Sequence, residues 1–346
     1  VVVQSMVILS IRFDLLCCPA SALSTCIAGL GKRYALCIVS DNREERISIM
    51  TDIKGKAAVV TGGGSGIGMG LAKELAAQGA SVAVAGSMLE NAQKVADAIN
   101  AAGGKAVALH CDVCDRQSVK AMAQAAEAAF GPIQLVFANA GATSFDPLTE
   151  MTDDDVDWIL TVNLFGVMNT TRAFLPGMVA AGGGHIMATA SMAGLVTAPG
   201  MGIYSVSKHA VIAISECLYH DLDLAGDQVK TAVLCPSYVT TNISQCYRTR
   251  PADLANESGP TKSQLATQAI SAKDLANGSL TAEEVASITF QAIEVGQFYV
   301  YPSPELLPIV KNRLDNIAAG SNPDIPYEDI PMFKERRDRL KEALAS

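Results

Sequence analysis

From residue 56 onward, short β-branched runs alternate with longer alanine-rich stretches whose apolar residues recur every three or four positions. Near-continuous apolar runs are the pattern of strands covered on both faces, and the longer stretches that of helices packed on them. The spacing predicts strands at 57–61, 81–85, 105–109, 133–138, 185–190, 228–235 and 298–301. Helices are predicted at 66–78, 88–101, 115–130, 202–225 and 281–294, with one long helix over 152–180. Strands alternating with helices of this length imply βαβ crossovers, so the expected fold is α/β, a doubly wound parallel sheet in a single domain spanning residues 50–302.

Three segments depart from that rhythm. Residues 237–280 are polar, with Arg250-Pro251, Gly259-Pro260 and several Asn and Ser, and read as a lid or binding loop. Residues 303–346 form a C-terminal extension, proline-punctuated from Pro304 to Pro331 and read as a surface wrap ending in a charged helix near 333–344. Residues 1–49 show no clear period and carry four of the nine cysteines. They read as an N-terminal extension outside the fold, because Met50-Thr51-Asp52 leads directly into the first strand.

Composition narrows the function classes. The chain of 346 residues is 49% hydrophobic and 18% charged, enough apolar material for a large core. A net charge of −9 with no basic stripe argues against a nucleic-acid partner, which needs a Lys/Arg surplus. No uninterrupted apolar run reaches the roughly 18 residues of a membrane span, and a cytoplasmic location is expected. Cys111 and Cys114 form a CxxC, but neither a second pair nor clustered histidines complete a metal site, so they read as structural thiols and no metal is expected. Asp153, Asp154 and Asp155 at the start of the long helix read as structural, since acids in a first turn favour the positive end of the helix dipole.

Between the first strand and first helix lies Thr61-Gly62-Gly63-Gly64-Ser65-Gly66-Ile67-Gly68. Glycines in a first βα turn let the backbone approach a pyrophosphate, and the helix N-terminus supplies free N–H donors, so this turn is read as a dinucleotide site. Tyr204 and Lys208 form a YxxxK on a predicted helix. Residues four apart share a helix face, which brings the ammonium beside the phenol, where a cation favours the phenolate.

The TGxxxGIG spacing resembles that of the short-chain dehydrogenase/reductase family over roughly residues 55–302, and with it a Rossmann fold. Further matches fall in order: Asp112 with Val113, then Asn139-Ala140-Gly141, Asn163, Ser191 thirteen residues before Tyr204, and the segment from Pro236 through Val239 to Thr241. The resemblance implies an NAD(P)-dependent oxidoreductase. In it Gly62, Ser65, Gly66, Ile67, Gly68, Asp112, Val113, Asn139, Ala140, Gly141, Tyr204, Lys208, Pro236, Val239 and Thr241 hold the cofactor. Catalysis falls to Ser191, which orients the substrate oxygen, and Tyr204, the general acid/base. Lys208 lowers the tyrosine pKa and holds the ribose, and Asn163 keeps a water linking Lys208 to solvent. Two departures stand out. Ser237 replaces the family's glycine after Pro236, and the second strand ends in Gly86-Ser87 rather than a carboxylate. The latter favours NADP over NAD, with Ser87 as a phosphate ligand.

Met192, Leu195, Val196, Met201, Tyr238 and Tyr247, with residues 143–145, are expected to line the substrate pocket, favouring a hydrophobic secondary alcohol or ketone. Alternatives on the same fold are an epimerase or dehydratase, and a non-catalytic NAD(P)-binding regulator. The lid and tail also look similar to those of bacterial dehydrogenases that oxidise benzylic alcohols of lignin-derived biaryl ethers. Family members imply a homodimer or homotetramer packed through helices 152–180 and 202–225. His185, His209 and His220 are assigned packing or surface roles, and Trp158 a core or subunit-interface role.

Overall fold

The computed structural model describes residues 53–256, 259–278, 280–323 and 331–345. The N-terminal extension expected over residues 1–49 lies outside the described residues. Seven parallel strands form one sheet in the order β3-β2-β1-β4-β5-β6-β7: β1 (Ala57–Thr61), β2 (Ser81–Gly86), β3 (Lys105–His110), β4 (Leu135–Ala138), β5 (Gly184–Thr189), β6 (Val229–Leu234) and β7 (Tyr299–Val300). The order reverses between β1 and β4, the topological switch point where ligands of open α/β sheets bind.

Both faces of the sheet are covered, which is why its strands read as continuous apolar runs. On one side, Ala58 and Val60 pack with Leu71 of α1 (Gly66–Ala77), Val95 of α2 (Leu89–Ala101) and, beyond the lid, Val285 of the helix Ala282–Glu294. Ala57 and Val59 point the other way, toward Val119 of α3 (Arg116–Phe130), Phe174 and Leu222.

The long helix expected over residues 152–180 is divided. α4 (Asp153–Leu160) leads into a π-helical turn, Thr161–Phe165, and then α5 (Gly166–Ala180). Thr152 caps α4 through a capping box with Asp155, so the acidic first turn is structural as expected. A π turn inserts one residue into the helical ladder and is often found at functional sites. Here it carries Asn163. α6 (Gly202–Ala225) follows β5 and ends on Gly226 at φ +72°.

The lid contains more regular structure than its polar composition predicts. Two short 3₁₀ segments, Ile243–Thr249 and Ala252–Leu254, precede α7 (Lys262–Ala276), a helix started by a Thr261/Gln264 capping box. α8 (Ala282–Glu294) then returns the chain to β7. The tail is also helical: α9 (Leu307–Ala319) and α10 (Pro331–Ala345) replace the expected wrap with one terminal helix.

Candidate active site

The turn after β1 is shaped by contact as much as by flexibility. A Cβ on Gly68 would lie 2.2 Å from the Gly62 carbonyl oxygen, and Gly66 opens α1 at φ +51°. Ser65 stands at the N-cap position without a side-chain capping bond, and the first turn of α1 holds no acid. Its leading N–H donors therefore remain available to an anion, the arrangement that fits a pyrophosphate.

Thr61 fastens this turn to the switch point. Its hydroxyl accepts from the Asn139 and Ala140 amides at 3.0 and 3.2 Å, and the Asn139 side chain donates to the Thr61 carbonyl at 3.1 Å. Thr189, the last residue of β5, donates to Asn139 Oδ1 at 3.1 Å. The Thr189 carbonyl in turn accepts from Lys208 Nζ at 2.9 Å. One hydrogen-bonded chain thus runs from the glycine turn to the YxxxK lysine.

Ser191 leaves β5 in extended backbone. Its hydroxyl accepts from the Ala193 amide at 3.1 Å and donates to the Pro236 carbonyl at 3.3 Å. Tyr204 and Lys208 lie one turn apart on α6, 8% and 3% exposed, with Nζ 5.7 Å from the centre of the tyrosine ring. Burial pushes the phenol up to about 12, and the Ser191 hydroxyl pulls the other way. Burial also brings the Lys208 ammonium down to about 8. The Lys208 ammonium donates to the Thr189 carbonyl.

Asn163 stands behind the site, fully buried. Its amide donates to the Ala142 carbonyl and to Ser207 Oγ, both at 2.9 Å, while Oδ1 accepts from the Ala142 amide at 2.8 Å. Ser207 Oγ donates to the Tyr204 carbonyl at 2.7 Å. A Cβ on Gly141 would lie 3.3 Å from Asn163 Oδ1 and 3.4 Å from Lys208 Nζ, so both side chains converge on that glycine.

These groups face one cavity of about 730 Å³. Every site residue named from the sequence lines it except Asn163: the glycine turn, Ser87, Asp112 and Val113, 139–141, Ser191, Tyr204, Lys208, Pro236, Val239 and Thr241. Of the expected substrate-pocket residues, Thr143, Phe145, Met192, Val196, Met201 and Tyr238 line it too. The others do not. Ser144 is buried outside the lining, Leu195 packs on the core behind β5, and Tyr247 packs at a tilt against Trp158, ring centres 5.2 Å apart. Trp158 itself is 1% exposed, a core residue as expected.

Several participants carried no sequence signal. Leu275, Leu306 and Ile309 close the cavity from the lid and tail. A buried clamp also docks the lid on α4. Arg250 Nη1 donates to Asp155 Oδ1 at 2.6 Å, its guanidinium lies 4.9 Å from the Trp158 ring, and Asn256 donates to both Asp155 oxygens. Burial alone would raise the Asp155 pKa, but hydrogen bonds from Thr152, Arg250 and Asn256 outweigh it and hold the carboxyl below its ordinary value. Cys111 and Cys114 have thiols pushed up to about 12 by burial, as befits structural cysteines. His185 is buried and pushed down to about 4 by that burial, a packing residue.

Residues 56–252 match the short chain dehydrogenase family, more than half of the chain, and the protein belongs to that family. It is an NAD(P)-dependent oxidoreductase of the short-chain type. It is 32% identical to the C alpha-dehydrogenase of Sphingobium sp. (strain NBRC 103272 / SYK-6), over 74% of this chain and 83% of the relative. A short chain dehydrogenase/reductase from Burkholderia phymatum in complex with NAD is 39% identical, with a TM-score of 0.78 over 80% of this chain and 98% of that one. An alcohol dehydrogenase from Thermococcus sibiricus complexed with 5-hydroxy-NADP is 25% identical, with a TM-score of 0.58 over 71% and 95% of the two chains. No helix among the described residues is long and apolar enough to cross a membrane.

Proposed function

We propose that the enzyme interconverts a hydrophobic secondary alcohol and its ketone. The observation that carries this reading is that Ser191, Tyr204 and Lys208 face the same cavity as the glycine turn, and that the remaining walls beside them are largely apolar. When bound, the nicotinamide cofactor supplies the hydride chemistry. The glycine turn and α1 N-terminus would hold its phosphates, Asp112 and Val113 its adenine end, and Lys208 its ribose hydroxyls.

The protein's own residues handle the oxygen. Ser191 Oγ hydrogen-bonds the substrate oxygen, and Tyr204 Oη takes the proton from the alcohol or gives it to the ketone. Burial keeps the Tyr204 phenol protonated at neutral pH, so it can give its proton to a ketone oxygen. Lys208 and Asn163 position the tyrosine and Gly141, with Asn163 fastening the loop after β4 at Ala142 to α6 through Ser207. A water held near Asn163 would complete the path from Lys208 to solvent.

NADP is the proposed preference, because the end of β2 lacks a carboxylate and places Ser87 in the cavity wall. A homodimer or homotetramer is proposed as well. Exposed apolar side chains on the π turn and α6, Phe165 at 44%, Val206 at 51% and Leu224 at 88%, support contact through these helices, and the mass in solution tests it.

Tyr204→Phe should lower turnover by roughly two orders of magnitude, the scale of general acid/base effects, while leaving cofactor binding nearly intact. The test is a panel of secondary alcohols and ketones with each cofactor, followed by the absorbance of reduced nicotinamide. Wild-type-like turnover in the variant would overturn the role.

A further inference from the structure

Part of the cavity lining comes from side chains beyond the βαβ core. Leu275 comes from α7, Leu306 from the 3₁₀ turn Pro304–Leu306, and Ile309 from the first turn of α9. α9 presents one face inward: Leu306, Ile309, Val310 and Arg313 follow helical spacing, whereas Leu314 and Ile317 are 54% and 59% exposed. Val310 is buried, and Arg313 Nη1 donates to the Leu195 carbonyl at 3.3 Å. That bond fixes α9 against the segment after Ser191, whose Met192 and Val196 form another part of the cavity lining. α10 braces the arrangement from outside. Leu340 is buried beside Gly200 and Thr267, and Lys273 on α7 pairs with Glu335 at 3.2 Å.

We infer that the C-terminal extension is a size-selective wall of the substrate site, with Leu306 and Ile309 as specificity-determining residues for a bulky apolar substituent on the carbinol carbon. The side chains of Leu275, Leu306 and Ile309 offer no hydrogen-bond partner to a polar group, which would lose its hydration against them. An aryl, alicyclic or long alkyl group instead gains contact area, and a single methylene in such a pocket changes discrimination by about 10-fold or more. The choice of a ketone as probe rests on the proposed alcohol/ketone reading; the existence of the wall does not.

The test compares the wild type with Leu306→Trp, Ile309→Trp and Ile309→Ala, and with Leu314→Ala as an outward-facing control. Each is assayed for reduction of butan-2-one and of deoxybenzoin, for calorimetric binding of deoxybenzoin in the presence of cofactor, and for binding of reduced cofactor by its fluorescence. The tryptophan variants should lose at least tenfold in kcat/KM for deoxybenzoin, with butan-2-one changed less than twofold and cofactor binding intact. Ile309→Ala should change the ratio of the two ketones, and Leu314→Ala should leave it alone. Equal effects on both ketones, or none, with cofactor binding retained, would overturn the wall. If deoxybenzoin binds the wild type and is excluded by the tryptophan variants, yet is never reduced, the wall stands and the alcohol/ketone reading fails. If it neither binds nor is reduced, the wall falls for an aryl substituent.

Discussion

At Gly86 an added Cβ would meet no atom within 4 Å, so a side chain can be introduced there without strain. A carboxylate at the end of β2 accepts from a ribose 2′-hydroxyl and repels a 2′-phosphate. Gly86→Asp is therefore expected to shift the ratio of kcat/KM for NAD over NADP by about tenfold or more toward NAD, equivalent to about 1.4 kcal/mol; an unchanged ratio in steady-state kinetics would count against Ser87 as the phosphate ligand. Asp146 poses a different problem at the same scale. It is fully buried, and neither carboxylate oxygen makes a well-aligned hydrogen bond to a described residue. Burial, and then the neighbouring charge of Asp155, push it up to about 6, while Gln264, Ser144 and Arg250 pull the other way. A carboxyl whose folded pKa is raised contributes stability below its unfolded pKa near 3.8, and that contribution is lost as pH rises through about 6. Asp146→Asn removes the titration. Its unfolding free energy relative to wild type should rise between pH 4.5 and 7.5 by about 2 kcal/mol, read from urea titrations at each pH. A difference independent of pH would show that Asp146 is not the group responsible.

Elements were legible where a hydrophobic period had a sheet to answer to. The strands before and after the glycine turn, and the helices between them, lie within a few residues of their predicted places because each buries an apolar face. The π turn at Thr161–Phe165 escaped because an extra residue in a helix leaves almost no trace in the apolar spacing. α7 escaped for the opposite reason: Lys262–Ala276 is polar on most sides, and its fastening comes from Thr267 and Ile270 below and α10 above. Arg250 and Asp155, 95 residues apart, are paired only by the fold. Breaking one partner of such a buried pair leaves an uncompensated charge and costs about 3–5 kcal/mol, whereas replacing both by apolar groups is often neutral. Arg250→Met should accordingly release the amides of residues 243–256 to faster hydrogen exchange, and Arg250→Lys, which keeps a cation beside Asp155, should retain more of the protection. Equal exchange in both variants would mean that the pair does not hold the lid.

For the molecule as a whole, the all-parallel sheet brings the carboxyl ends of β1, β4 and β5 to one rim, and the site is assembled there from segments as distant as Gly62 and Thr241. The side chains proposed for catalysis were readable in the sequence because the chemistry assigned to them demands particular residue types at particular spacings. The walls were not, since apolar residues such as Leu306 and Ile309 look alike whether they line a pocket or fill a core. The chain contains a single tryptophan, Trp158, and both of its aromatic and cationic neighbours, Tyr247 and Arg250, belong to the lid. Intrinsic fluorescence excited at the indole therefore monitors one location only. A movement of the lid away from α4 alters the emission of the unlabelled enzyme, so opening and closing can be timed by stopped flow without attaching a dye.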